Sequence, residues 1–204
     1  MKTGWMTRRI MRWYDQATPE EIEEGISWYA MARREAIVIA ARYGITYEQA
    51  AAVIAVLSPN VKWENNVQSA HRACEWYARF GALARIPGYC GYGANVVKAD
   101  RVLSGDIDAV SGPKVVAFFN AIMGDMSTVV VDIWAARAAR SKDRLKATMY
   151  TGSGEMPGAI ERRAMQKAYK NAAAKINVEP AHMQAIVWVV IRNRTPHHAS
   201  RRAS

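Results

Sequence analysis

Three residues in one apolar stretch have the types and spacing to do chemistry. SGPKVVAFFNAIMGDMSTVVVDIWAAR, residues 111–137, holds Lys114 just after Gly112-Pro113, Asp132 after a run of valines, and Arg137 five positions further on. Lys114 and Asp132 stand eighteen residues apart. A proline at the first helical position leaves the N–H groups of Lys114, Val115 and Val116 pointing out of the helix end, where a phosphate binds well. A lysine there opposes the helix macrodipole at a cost of about 0.3–1 kcal/mol, unless an anion offsets it or a neutral amine is wanted. Asp132 is well placed to cap IWAARAAR, and a carboxylate held by first-turn N–H groups stays ionised. That state suits charge stabilisation or proton abstraction and does not suit a general acid. Taken singly, a solvated lysine and an ordinary helix cap would explain both residues.

The elements that must position these residues read as helices. Thr18-Pro19-Glu20-Glu21 has the capping spacing with proline at the first helical position, and Ile22, Ile26 and Tyr29 follow at helical intervals, so a long helix is expected to Tyr43, closed by Gly44. Thr46-Tyr47-Glu48-Gln49 repeats the signal and opens a buried helix, AAAVIAVL, that ends at the turn Ser58-Pro59-Asn60. VKWENNVQSAHRACEWYARF reads as an amphipathic helix stopping at Gly81, and GALARIPGYCGYGAN as an exposed loop. NVVKADRVLSG is a short helix, GDIDAVSG a hairpin-like connector, and GPKVVAFFNAIMG another helix. STVVV is extended by preference but too short to make a sheet alone. Asp132 then caps IWAARAAR, the loop TMYTGSGEMPG follows, and AIERRAMQKAYKNAAAKI and PAHMQAIVWVVI complete an all-α chain. Residues 1–191 are expected to form one compact domain and 192–204, RNRTPHHASRRAS, a basic and mobile tail.

Composition bounds the partners. The 204 residues carry a formal charge of +10, which favours a polyanion, with nucleic acid ahead of an anionic membrane surface. No uninterrupted apolar run is long enough to span a membrane, and MKTGWMTRRIMRWYDQ lacks the apolar centre of a signal peptide. Cys74 and Cys90 are too few for a disulfide framework or a four-cysteine cluster, which fits a reducing, cytoplasmic compartment. His71, His182, His197 and His198 have no ligand spacing with Cys, Asp or Glu, so no metal is expected. Lys98 and Arg101 share one side of a short helix and offer a phosphate surface or an ordinary solvated face. Trp63 and Tyr92 are candidates for stacking on a base, worth about 1–3 kcal/mol, or for packing. Gln184, four residues before Trp188 on an apolar helix, either lines a pocket or ties two helices together. The arginines at 192, 194, 201 and 202 would add salt-sensitive affinity for DNA.

The register of Gly112-Pro113-Lys114, Asp132 and Arg137 resembles the helix-hairpin-helix (HhH-GPD) DNA glycosylase superfamily, especially its endonuclease III-like branch. In order with it, VIAVLSPNVKWENNVQSA resembles that family's early buried helix and polar turn, and NVVKADRVL the helix before a hairpin near residues 107–116. The likeness covers about residues 45–140. It departs at Val110 and Ser111, where relatives are richer in glycine, and in lacking iron–sulfur cysteines. Compact chains of this kind also look like glycosylase-fold proteins proposed to act in phage DNA-base hypermodification, among them the thymine pyrophosphorylases. The resemblance implies a two-lobed all-α fold with a cleft between the lobes and no cofactor. It implies a monomer in the cytoplasm, that of the host if the chain is phage-encoded, acting on the N-glycosidic bond of a flipped base in DNA. Asp132 and Lys114 would be catalytic; Gly112, Lys98, Arg101, Asn60 and Arg137 would touch DNA; Asn60, Trp63, Tyr92 and Gln184 would line the base pocket or wedge. A neutral Lys114 would form a Schiff base and add lyase activity, whereas a charged one would grip phosphate and leave the attack to water. Hypermodification of a thymine derivative, and a DNA-binding or interaction protein that has lost the chemistry, stand as alternatives.

Overall fold

Capping side chains and glycines set several of the helix ends. The computed structural model describes residues 3–83, 93–140 and 156–194, and every regular element among them is helical. These are α1 (Gly4–Tyr14), α2 (Pro19–Tyr43), α3 (Tyr47–Leu57), α4 (Trp63–Phe80), α5 (Gly93–Leu103), α6 (Pro113–Met123), α7 (Ile133–Ala139), α8 (Ala159–Lys175) and α9 (Pro180–Arg194), with a 3-10 turn at Ile107–Ala109. Thr46 and Gln49 form a reciprocal capping box at α3, and Asp132 caps α7. None of the described helices is long and apolar enough to cross a membrane.

The chain divides inside α2 into two compact units, one of Met1–Trp28 and Met126–Ser204, the other of Tyr29–Asp125. In the second unit α3 is the hub. All its residues from Ala50 to Leu57 are buried, and α4, α5 and α6 pack around it. Full burial of Val53, Ile54, Val56 and Leu57 stabilises this unit by about 1.5–3 kcal/mol per side chain. Asn66 Nδ2 donates to the Ile54 carbonyl at 3.1 Å and Gln49 Nε2 to the Leu103 carbonyl at 3.0 Å, fixing α4 and α5 against α3.

In the first unit α1 packs against α7, α8 and α9. Met6 and Ile10 of α1 join Val129, Val131, Met165, Tyr169, Met183 and Val187 in one core. Alanines at 135, 136, 138 and 139 of α7 and at 164, 168, 172 and 173 of α8 line it, and their small side chains allow close helix approach. The valines before Asp132 form no strand among the described residues; Val129 and Val131 are buried under helices instead.

Several sequence expectations need correction. Residues 4–14, read only for the absence of a signal peptide, are a helix; Thr3 makes no side-chain cap bond and the first turn has no acid, so the usual start signals are missing. Gly93 and Ala94, expected in a loop, open α5 ahead of the expected start at Asn95, while the rest of that loop from residue 84 lies outside the described residues, Tyr92 and Cys90 included. The hairpin-like connector is the 3-10 turn. The buried face of α2 is rotated from the predicted one: Tyr29 is buried as expected, but Ile26 is exposed and Glu21 and Gly25 are buried in its place. Arg192–Arg194 belong to α9 and not to a mobile tail, because Arg194 is bound on several sides. Residues 195–204 lie outside the described residues.

Arg194 Nη1 and Nη2 reach both carboxylate oxygens of Glu21, at 2.8 and 2.9 Å, and Nη2 also reaches the Gln16 carbonyl. Asn193 Nδ2 adds a bond at 3.0 Å, and Glu21 exchanges capping bonds with Thr18. The Arg194 bonds first, then those from Thr18 and Asn193, hold the Glu21 carboxyl down at about 2 from its ordinary 4.5, although burial opposes this. Its folded-state pKa is depressed, so its contribution is complete above about 4.5 and is lost as pH falls towards 2. Glu21→Gln is therefore expected to flatten the pH dependence of stability across that window and to cost about 2 kcal/mol at neutral pH, read by urea unfolding at stepped pH.

Gly25 explains the rotated face of α2. A Cβ there would lie 2.5 Å from the Ile186 Cα of α9, so the two backbones touch where only hydrogen fits. Gly25→Ala is expected to destabilise by about 1–3 kcal/mol from overpacking, despite alanine's better helix propensity. A rise in melting temperature would refute the contact.

Candidate functional site

Asp132, itself in an extended conformation, sits where the run of valines becomes a helix. Its Oδ1 accepts the N–H of Ala135 at 2.8 Å, as a cap should, and its Oδ2 accepts the indole N–H of Trp188 at 3.0 Å. Both oxygens therefore have fixed donors, one from α7 and one from α9. Trp188 is itself held: Trp28 lies against it with ring centroids 4.6 Å apart, and the Arg192 guanidinium is 4.2 Å from its ring centre. Tyr169, wholly buried on α8, donates to the Ala135 carbonyl at 3.1 Å. Burial, and then the Asp132 charge, push its phenol well above the ordinary range, so it remains a neutral donor. Gln184 is buried one turn before Trp188 on α9, and Arg137 lies on α7 with its guanidinium 4.8 Å from the Trp134 ring centre.

Lys114 belongs to the other unit, where two separate sequence motifs meet. Gly112 has φ +94°, a conformation that glycine adopts without strain, and Pro113 starts α6. The lysine Nζ donates to Ser58 Oγ at 2.6 Å, and Ser58 Oγ donates to the Ala55 carbonyl at 2.9 Å. The Ser58 proton is thus committed to Ala55, leaving its lone pair for the lysine. The Phe118 ring centre lies 5.4 Å from Nζ, and that face favours an ammonium. One expectation changes here: the Val116 N–H already donates to the Gly112 carbonyl at 2.9 Å, so it does not point out of the helix end.

The remaining candidates of this unit flank that pair or stand apart. Asn60, two residues after Ser58, is exposed with φ +60°, a left-handed conformation that asparagine tolerates. Trp63 begins α4 and is half-buried. Lys98 is half-buried on α5. Arg101 is exposed and engaged with Asp106, through Nε at 2.8 Å and Nη2 at 2.5 Å, which offsets its charge locally. His71 meets Glu35 at 2.9 Å and Tyr43 at 3.2 Å.

The charge excess is not evenly shared. The unit holding Asp132 has 18 Lys and Arg against 10 Asp and Glu, while the unit holding Lys114 has 10 against 8. Most of the attraction for a polyanion therefore arises in the former.

Sequence reasoning found Asp132 as a cap and Lys114 at a helix start, but missed Trp188 and Ser58 as their partners. Each partner is 56 residues from the group it holds, beyond any local periodicity. A buried-looking tryptophan needs an acceptor for its N–H, which was the one signal available. Trp188→Phe keeps an aromatic ring between Trp28 and Arg192 but deletes the donor to Asp132; a loss of about 1.5–3 kcal/mol is expected in chemical denaturation, as for a bond to a charged group.

The model of a family of unknown function (DUF7178) matches residues 1–195. No curated protein matches the chain, and no solved structure does.

Proposed function

The chain belongs to this family of unknown function, DUF7178, and from its own residues we propose that it is a DNA glycosylase-like enzyme of helix-hairpin-helix type. It would act on the N-glycosidic bond of a flipped, modified base. The observation that carries the reading is the anchoring of Asp132: two fixed donors hold its carboxylate as an oriented anion. Breaking an N-glycosidic bond builds positive charge on the sugar, and a preoriented carboxylate stabilises it without reorganising at the moment of reaction. The base leaves with the bonding electron pair, a water oxygen adds to C1′, and the carboxylate takes up the water's proton.

Lys114 supports the form in which water is the nucleophile. Its Nζ is a donor to Ser58 and faces the Phe118 ring, surroundings that suit an ammonium gripping a phosphate better than a neutral amine attacking a sugar. Ser58 also puts this lysine against the turn that carries Asn60, the candidate for the gap left by a flipped base.

The test is base release from duplex and single-stranded oligonucleotides carrying a panel of modified bases. Asp132→Asn is expected to lower release at least ~100-fold, and Lys114→Gln to weaken binding more than turnover. Borohydride is expected to trap no adduct; an adduct that disappears in Lys114→Gln would establish the lyase form instead. Unchanged release in Asp132→Asn would remove the catalytic role. The concentration of positive charge in the unit holding Asp132 also fits a protein that binds DNA without turnover, which salt-dependent binding with no released base from any substrate would select.

A further inference from the structure

Helix α1 carries a second basic surface, remote in sequence from every residue considered for catalysis. GWMTRRIMRWY contains Arg8, Arg9 and Arg12 and no acid; the nearest, Asp15, lies at the C-cap. The helix it packs against, α8, is also basic, with Arg162, Arg163, Lys167, Lys170 and Lys175 against a single acid, Glu161, which is engaged by the buried Arg140 at 3.0 Å. Like charges one turn apart repel, as Arg8 and Arg12 do, and a chain keeps such pairs at little benefit to its own stability.

Arg9 makes the same point from within. Its Nε is buried and has no hydrogen-bond partner among the described residues. Burial, and then the charge of Arg12, pull its guanidinium below the ordinary value, and an anion beside it would offset the repulsion from Arg12.

The outer face of α1 holds Trp5, Arg8 and Arg12 at spacings of three and four, which align on one side of a helix, and all three are exposed. The inner face is Met6, Thr7 and Ile10, all buried in the core of its own unit. A basic amphipathic helix that lies on a membrane needs its apolar face for the lipid, and here that face is already used. What remains outside is cationic side chains beside an indole, the pairing that grips a phosphate backbone and stacks on a base.

We propose that the outer face of α1, formed by Trp5, Arg8 and Arg12 with Arg9 beside them, is a nucleic-acid-binding surface. It acts through phosphate contacts and through stacking of a base on Trp5. The surface does not depend on the glycosylase reading, since a catalytically silent protein would bind through it equally.

Affinity of the full-length chain for a single-stranded oligonucleotide, measured across a salt series, tests it. Arg8→Ala/Arg12→Ala is expected to reduce the slope of log K against log salt by about 1.4, two contacts at about 0.7 each for a single strand. Trp5→Ala should weaken binding 5- to 100-fold with the slope unchanged, in line with about 1–3 kcal/mol per stacked base. As a control, Arg34→Ala/Arg79→Ala removes the same charge from exposed positions of the other unit and should leave the slope in place. Equal losses in the two double variants would reduce the effect to net charge and overturn the proposal. So would unchanged binding in Arg8→Ala/Arg12→Ala, or sensitivity of that variant to anionic phosphatidylserine vesicles alone. Asp132→Asn is expected to bind normally, so failure of the catalytic reading and failure of this surface are separable.

Discussion

The carboxylate of Asp132 is the constraint on which the first unit turns. Three runs of chain reach it: the buried valines end at it, α7 begins on it, and α9 delivers Trp188 to it. A short helix such as α7 has little stability of its own, so its position depends on what its cap holds. Here the cap is shared between a backbone N–H and an indole, and the indole is itself fixed by Trp28 and Arg192. Orientation of one anion and docking of two helices are therefore the same set of contacts.

Lys114 is fixed by a comparable arrangement in the other unit. A glycine with positive φ and a proline start its helix, and a serine from the end of the buried α3 receives its ammonium. The proton of that serine is directed away, to the Ala55 carbonyl, so the lysine is held by an oriented lone pair. In each unit a charged side chain in a helix's opening residues is oriented by a polar group 56 residues away.

How far this was legible in the sequence depended on the range of the interaction. The caps at Thr46 and Asp132, and the stops at Gly81 and Gly124, were readable because the partners lie within one turn. Helix α1 was not readable, because it starts without a bonded cap and its stability comes from Met6 and Ile10 docking in a core assembled by distant helices. The face of α2 was misread because apolarity pointed to Ile26, while the contact that decides the packing needs the absence of a side chain at Gly25. The cap at Asp132 and the place of Lys114 at a helix start were legible locally, but Ser58 and Trp188 as their partners required the fold.

The valines leading into Asp132 have a consequence for how the chain reaches this fold. Val129, Val130 and Val131 are β-branched and buried, yet no neighbouring strand among the described residues pairs with them, and the Val130 carbonyl accepts the Asp132 N–H at 3.2 Å within a local turn. Gln166 of α8 reaches the Val129 carbonyl with its amide at 3.5 Å, a weak substitute for a ladder bond. Before α8 docks, this uncharged segment has the composition of an aggregation-prone strand. Its sheet-forming tendency is held in check by the helices packed over it, of which α7, α8 and α9 arrive later along the chain. Refolding at high protein concentration therefore sets association between copies at residues 127–131 against closure of the helices over them.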